Sequence, residues 1–273
     1  MLALSLTACS AIKLGYNNLD ELLYWWIDDY VDFSGAQSDP VRRALDDLHA
    51  WHRRAELPLL ADALESLAHG GGQFLAPAQV CGLFDKATDS LARTTERAIP
   101  LVAGFVVTLD DAQFATMGER FRDKRKDWLA DWSLNAEDMA QKRRARFAEA
   151  AERFYGTLTP GQNEVIRRHV AGVPFEVTRV EHEMRRRERD TLATLRAAAG
   201  MPPPQAEAQL RGWLARLLES PDAGYREAMQ RTREATCAAW AALHDAATPE
   251  QRQRAMARVA DYAADLRALA AQR

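Results

Sequence analysis

Glycine and proline are scarce, 14 and 11 in 273 residues, about 9% together against the roughly 12% of average usage. That scarcity removes the turn punctuation an all-β fold needs. Cysteine is scarcer still, with three residues and no Cys-x-x-Cys pair. Charge of one sign is not in excess. With 36 basic against 39 acidic residues and a formal charge of −3, no global electrostatic reason points to nucleic acid as a partner. No segment approaches the ~18 uninterrupted apolar residues of a membrane-spanning helix. A Gly-rich phosphate loop and a Gly-x-Ser-x-Gly elbow are also missing, which makes enzyme the weaker class, with no cofactor expected. What is present is 47% hydrophobic and 27% charged residues. This is the balance of a chain with a sizeable core, in one large or two ordinary domains, and it excludes disorder and fibrous repeats.

The start reads as an address. Met1 to Ala8 is a short apolar stretch ending in small residues, followed by Cys9 and Ser10. Leu6-Thr7-Ala8-Cys9 resembles the lipobox at which bacterial lipoprotein signal peptidase cuts, leaving a cysteine that carries a diacylglyceryl thioether and an acylated amine. Three acyl chains, at ~0.8 kcal/mol per buried CH₂, would anchor effectively permanently. Asp after the cysteine retains a lipoprotein at the inner membrane, so Ser10 points to the outer one. Residues 1–8 are then a signal segment and 9–273 a periplasmic domain. The apolar run is short and has no basic residues ahead of it, so the reading frame is expected to begin upstream of Met1. Once Cys9 is lipidated, Cys81 and Cys237 remain. They form either one disulfide in an oxidising compartment or two buried free thiols, and no spacing brings positions 81 and 237 together.

The rest is helical. Leu19, Leu22, Leu23, Trp26, Ile27, Tyr30 and Val31 recur every three to four residues, one face of a helix. The period continues through Val41, Leu45, Leu48 and Trp51, then Leu60, Leu64 and Leu67, with Pro58 as a break and Gly70 to Gly72 as the end. Further stretches are predicted at 77–98, 111–131, 136–156, 160–199, interrupted near Gly172 and Pro174, and at 205–219, 222–246 and 249–271. Met201 to Pro204 is the clearest linker, and a subdivision near 200–204 is expected.

Five helix starts share a form, with Gln three residues after a cap position. They are Ser34 with Gln37, Ala76 with Gln79, Asp110 with Gln113, Thr159 with Gln162, and Thr248 with Gln251. Four of the five have a real capping side chain and read as a capping box, in which the cap side chain accepts the third amide and Gln reaches back to the cap amide; Ala76 offers only the second half. Pro160 and Pro249 sit where a missing N–H costs nothing. Leu75 with Val80 and Leu109 with Phe114 can add a hydrophobic staple. A single box is simply how a helix begins; five suggest degenerate helical hairpins of roughly 40 to 45 residues. The predicted fold is all-α, an extended or curved antiparallel helical array, with a single bundle as the alternative.

Cys9 to Phe33, including Tyr16-Asn-Asn-Leu-Asp20 and Trp25-Trp-Ile-Asp-Asp-Tyr30, then Trp51-His-Arg-Arg-Ala-Glu-Leu-Pro58, then the Gln-bearing starts, resemble a family of uncharacterised proteobacterial lipoproteins. The resemblance covers nearly the whole mature chain. It implies a helical, membrane-anchored periplasmic protein and brings no catalytic residues. Leu158 to Gln162, and Ala247 to Gln251 apart from its leucine, are also similar to the Leu-Thr-x-x-Gln repeat of the Spy and CpxP periplasmic chaperones, which are about half as long.

Three constellations remain. Tyr24, Trp25, Asp28, Asp29 and Tyr30, with Asp20, Glu21, Trp26 and Asp32 around them, form either a partner-binding or membrane-proximal face or an amphipathic helix with Trp26 and Ile27 in the core and Asp28 and Asp29 solvated. His49, His52 and Glu56 share a helical face at metal-ligand spacing, for a metal-assisted hydrolase, or make hydrogen bonds at a helix interface. His182-Glu183 lacks the second histidine of a zinc-protease motif. Basic runs at 122–126, 142–146 and 185–189 are interleaved with acids and read as solvated faces, or as a surface for an envelope polyanion. The leading expectation is a non-enzymatic outer-membrane lipoprotein whose periplasmic helices bind an envelope partner or unfolded protein, without nucleic acid. The rivals are the hydrolase and a cytoplasmic helical adaptor.

Overall fold

A computed structural model describes residues 11–72 and 74–272, so Cys9 and the segment before it lie outside the described residues. Twelve α-helices and no strand occur among them: α1 Ala11–Asn17, α2 Leu19–Val31, α3 Gly35–Ala55, α4 Leu57–Gly70, α5 Pro77–Val106, α6 Asp111–Trp132, α7 Ala136–Tyr155, α8 Pro160–Gly172, α9 Val177–Ala199, α10 Pro203–Leu218, α11 Ala223–Asp245 and α12 Pro249–Ala270. The protein is all-α, its helices packed as an array.

The helix ends follow the local chemistry. Pro58 falls in the first turn of α4, where its missing N–H is tolerated, and the chain bends at Glu56 rather than stopping. One end departs from the sequence expectation: α5 runs on through Pro100 to Val106. Pro100 removes one ladder bond, but the turn after it carries Ala103 and Val106, fully buried with Ile99, and that burial offsets the defect. Gly156 ends α7 at φ 72° and ψ −151°, a region open only to glycine.

Two apolar cores carry the array. One joins Val31, Ile99, Val106, Phe114, Leu195 and Leu210 from α2, α5, α6, α9 and α10. The other joins Tyr155, Ile166, Leu243 and Ala255 from α7, α8, α11 and α12. Trp240 touches the second core and a smaller cluster of Leu75, Val80 and Cys237. Ala198, Met201, Ala206 and Leu210 belong to the same core on both sides of positions 200–204. The array folds back on itself: α12 packs on α4 and α1, while α5 meets α3, α4, α9, α10 and α11. A linear stack of repeats would place each unit only against its neighbours.

The shared helix starts are paired in space. In all five, Gln Oε1 accepts the amide of the cap residue, at 2.8 to 3.2 Å. Asp110, Thr159 and Thr248 complete the box by accepting the Gln amide; Ser34 instead donates its hydroxyl to Gln37 Oε1 at 3.1 Å. The free ends of four of these glutamines then cross to another helix start. Gln37 and Gln113 exchange side-chain hydrogen bonds at 3.1 and 2.8 Å. Gln113 also donates to Asp32 O, and Gln37 to Thr108 O. Gln162 donates to Leu243 O in the last turn of α11, the helix that leads into α12, and Gln251 to Thr157 O just before α8. One glutamine thus closes its own helix and ties it to a second.

Candidate functional site

Nearest in sequence to Cys9 are α1 and α2. Tyr16 of α1 places its hydroxyl 2.8 Å from His52 Nδ1 and its ring centroid 4.7 Å from that of His49. His49 Nδ1 lies 3.4 Å from Asp20, and Arg53 donates to Asn17, to Leu269 O and to Gln272. Lys13 pairs with Asp265 at 2.7 Å. The histidines therefore fasten α1 to α3 beside the end of α12. Burial pushes the pKa of His52 below its ordinary value, against the neighbouring Glu56, which favours a neutral imidazole at pH 7.

Glu56 is engaged elsewhere. Its carboxylate, 2% exposed, receives both Nε and Nη2 of Arg93, at 2.9 and 2.7 Å. That fork-to-fork pair occupies both oxygens, and Arg93 and Ser90 hold the carboxyl below its usual pKa. Of the two readings of His49, His52 and Glu56, hydrogen bonds at a helix interface match the geometry, and the three side chains do not converge as metal ligands. No group of three such ligands converges among the described residues.

Helix α2 divides the expected aromatic and acidic face. Tyr24 is buried, its hydroxyl 3.0 Å from Ser38 and its ring 3.5 Å beneath the Arg42 guanidinium, so it cannot meet a partner. Asp28 accepts the Phe33 amide at 2.8 Å and forms the turn out of the helix, where Asp32 takes φ 57°. Asp29 pairs with Lys124 and Arg120 of α6, and Tyr30 packs on Phe121. Trp25 remains at the surface, 60% exposed, together with Trp26 at 60% and Leu22 at 55%. The alternative expectation, Trp26 in the core, is also corrected. Ile27 and Tyr30 fill the space toward α5 and α6, which turns Trp26 outward. The apolar surface is Leu22-Trp25-Trp26, at i, i+3 and i+4.

Cys81 of α5 and Cys237 of α11 are joined by a disulfide, with Cα atoms 5.5 Å apart. The contact of α5 with α11, which no local spacing could reveal, brings them together in place of two separate thiols.

The basic runs are divided: Arg122, Lys124, Lys126, Arg146, Arg185 and Arg189 are exposed, as a solvated face requires, while others are engaged inside the array. Arg125 meets Glu181 and Glu188 of α9. Glu183, 3% exposed, receives Arg186, Arg187 and Ser220, and Arg216 of α10 joins Asp190. Burial alone would raise the Glu183 pKa, but these hydrogen bonds more than offset it and hold the group at about 2. Lys142 and Arg146 share Asp131.

Residues 29–211, about two thirds of the chain, match a family of unknown function, DUF6279. The chain belongs to that family. The DUF6279 span begins in α2 and ends in α10, so it holds the Gln37–Gln113 contact and the Thr159 box. Trp25, Trp26, Cys237 and the Thr248 box fall outside it. No curated protein and no solved structure matches the chain.

Proposed function

We propose that this DUF6279 protein is an exported lipoprotein, anchored through Cys9 to the periplasmic face of the outer membrane, whose helical body binds an envelope partner or unfolded protein without catalysing a reaction. The observation that carries the address is the Cys81–Cys237 disulfide. A bond of this kind forms and persists in oxidising compartments and is rare where thiols are kept reduced. The lipobox-like residues before Cys9 supply the attachment point.

The surface next to the anchor suits this reading. α1 is held to α3 and α12, so lipid on Cys9 would keep the start of the array close to the bilayer. Leu22, Trp25 and Trp26 are exposed on α2, the helix after α1, and tryptophan favours the boundary between water and lipid headgroups. The Leu-Thr-Pro-x-Gln motifs serve as helix caps and ties, so the similarity to Spy-type chaperones lends no client-binding residue. With Glu56 held by Arg93, the hydrolase reading has lost its carboxylate.

Membrane fractionation tests the proposal. The wild type is expected in the outer-membrane fraction and Cys9→Ala in the soluble fraction; equal distribution of the two would overturn the anchor. Trp25→Ala with Trp26→Ala, in the Cys9→Ala background, should lower residual binding to phospholipid vesicles by at least threefold.

A further inference from the structure

In the basic run 142–146, Lys142 and Arg146 share Asp131, while Arg143 and Arg144 form no ion pair among the described residues; of these two, Arg143 lines a groove. Arg143 is half-buried, and among the described residues no carboxylate pairs with it; its Nη1 donates to Val170 O at 3.3 Å, at the end of α8. Burial pushes its guanidinium pKa below the ordinary value, with no acid offsetting the effect. Arg125 and Arg186, also partly buried, each have carboxylate partners. Half-buried and with one donor on a carbonyl, the guanidinium keeps its remaining donors accessible to an anion entering from solvent.

Arg143 lines a groove of about 540 Å³ between α6, the 173–176 segment and α11, within the size range of ligand sites. Its guanidinium lies 5.9 Å from the Phe175 ring centroid. Phe175 packs on Trp132 and Trp128 at 4.8 and 6.4 Å, and Tyr225 and Met229 form the far wall. Arg179 and Arg231 also line it, each near one glutamate, Glu176 at 2.8 Å and Glu227 at 3.8 Å. Arg179 also feels Asp222, so of the three guanidinium groups Arg143 is the one for which no carboxylate partner is found among the described residues. Val173 and Glu176 have extended backbone, and α9 begins with neither a capping side chain nor an acid in its first turn.

We propose that this groove binds the apolar C-terminal end of an extended polypeptide. The terminal carboxylate lies on Arg143, which offers the two-pronged geometry carboxylates favour. The last apolar side chains lie against Trp132 and Phe175. The peptide main chain runs beside residues 173–176, in the manner of strand addition to an extended segment. A fatty acid would supply the charge and the apolar body but has no main chain to run beside this segment. The inference names the ligand class for the binding role proposed above and rests on that role; it does not depend on the lipid at Cys9.

The test uses the full-length Cys9→Ala protein and a fluorescein-labelled Ala-Ala-Leu-Phe peptide, as the free acid and as the C-terminal amide, read by polarisation. The acid is expected to bind at least tenfold more tightly than the amide. Arg143→Met should bring the acid to the level of the amide and leave the amide unchanged, Arg143→Lys should recover part of the difference, and Trp132→Ala should weaken both peptides. Should Arg143→Met fail to fold by circular dichroism, the acid-to-amide ratio of the unaltered groove decides. Equal binding of acid and amide, or binding of neither, overturns the proposal. Laurate binding more tightly than the peptide and displacing it would overturn it in favour of a lipid acid.

Discussion

At the scale of single residues, the array depends on a few buried carboxylates and amides that find partners on other helices. Glu183 is the clearest case. Its carboxyl, held at about 2 by Arg186, Arg187 and Ser220 against the opposing effect of burial, has a folded pKa well below its unfolded value. Its contribution to stability is therefore complete above about pH 4.5 and is lost as pH falls from there toward 2. Urea unfolding at pH 7 and pH 3 checks this. Glu183→Gln should cost about 3 kcal/mol at pH 7, because it takes the buried carboxylate from Arg187 and leaves Arg186 with Asp190 alone, and should flatten the loss between the two pH values. An unchanged acid dependence would show that the carboxyl titrates normally.

Glu183 also marks how far the sequence could be read. The alternation of basic and acidic residues at 185–189 looks like a solvated helix face, because i to i+4 pairing is visible locally. The burial that makes the pairing matter comes from Ser220 and Arg216, thirty residues away. The same limit hid Glu56, whose partner Arg93 lies on α5. The histidine spacing was legible, and the competitor for the carboxylate was not.

At the scale of elements, the repeated Gln does two tasks with one side chain. Its oxygen closes a helix start, and its nitrogen ties that start to another. Gln162 is fully buried, so truncation would leave the Thr159 amide and Leu243 O without partners in a dry site. Gln162→Ala is expected to lower the unfolding free energy by about 1–3 kcal/mol in a urea titration. Gln79→Ala should cost less than 1 kcal/mol, since the cap-amide bond of Gln79 is exposed. Equal costs would mean that the ties between helix starts add nothing to the caps.

The boxes themselves stood out in the sequence because a capping box is local, spanning four residues. So did the helices, since a period of three to four survives in any tertiary context. The pairing of Gln37 with Gln113 did not stand out, nor did the return of α12 to α4, because both are decided by how distant helices pack. Trp26 faced outward against one expectation for the same reason: the apolar arc of α2 is wider than the face α5 and α6 can cover. Pro100 ended a predicted helix that packing continues.

At the scale of the whole molecule, one covalent bond joins halves of the chain far apart in sequence, 156 residues between Cys81 and Cys237. Closing so long a loop restricts the unfolded chain, and losing it is expected to cost about 3–5 kcal/mol, lowering Tm by roughly 10 °C. Calorimetry with and without a reductant checks this. An unchanged Tm would mean the thiols are not bonded in the native protein, and the argument for an oxidising compartment would fall with it.

The most direct test of the address is the intact mass of the protein extracted from membranes, expressed from its own gene with the native upstream sequence and alkylated without reduction. The account predicts cleavage before Cys9, the added mass of a diacylglyceryl group and one further acyl chain, and no alkylation at Cys81 or Cys237. An uncleaved chain, soluble and alkylated at all three cysteines, would contradict it and leave a helical protein of the cytoplasm.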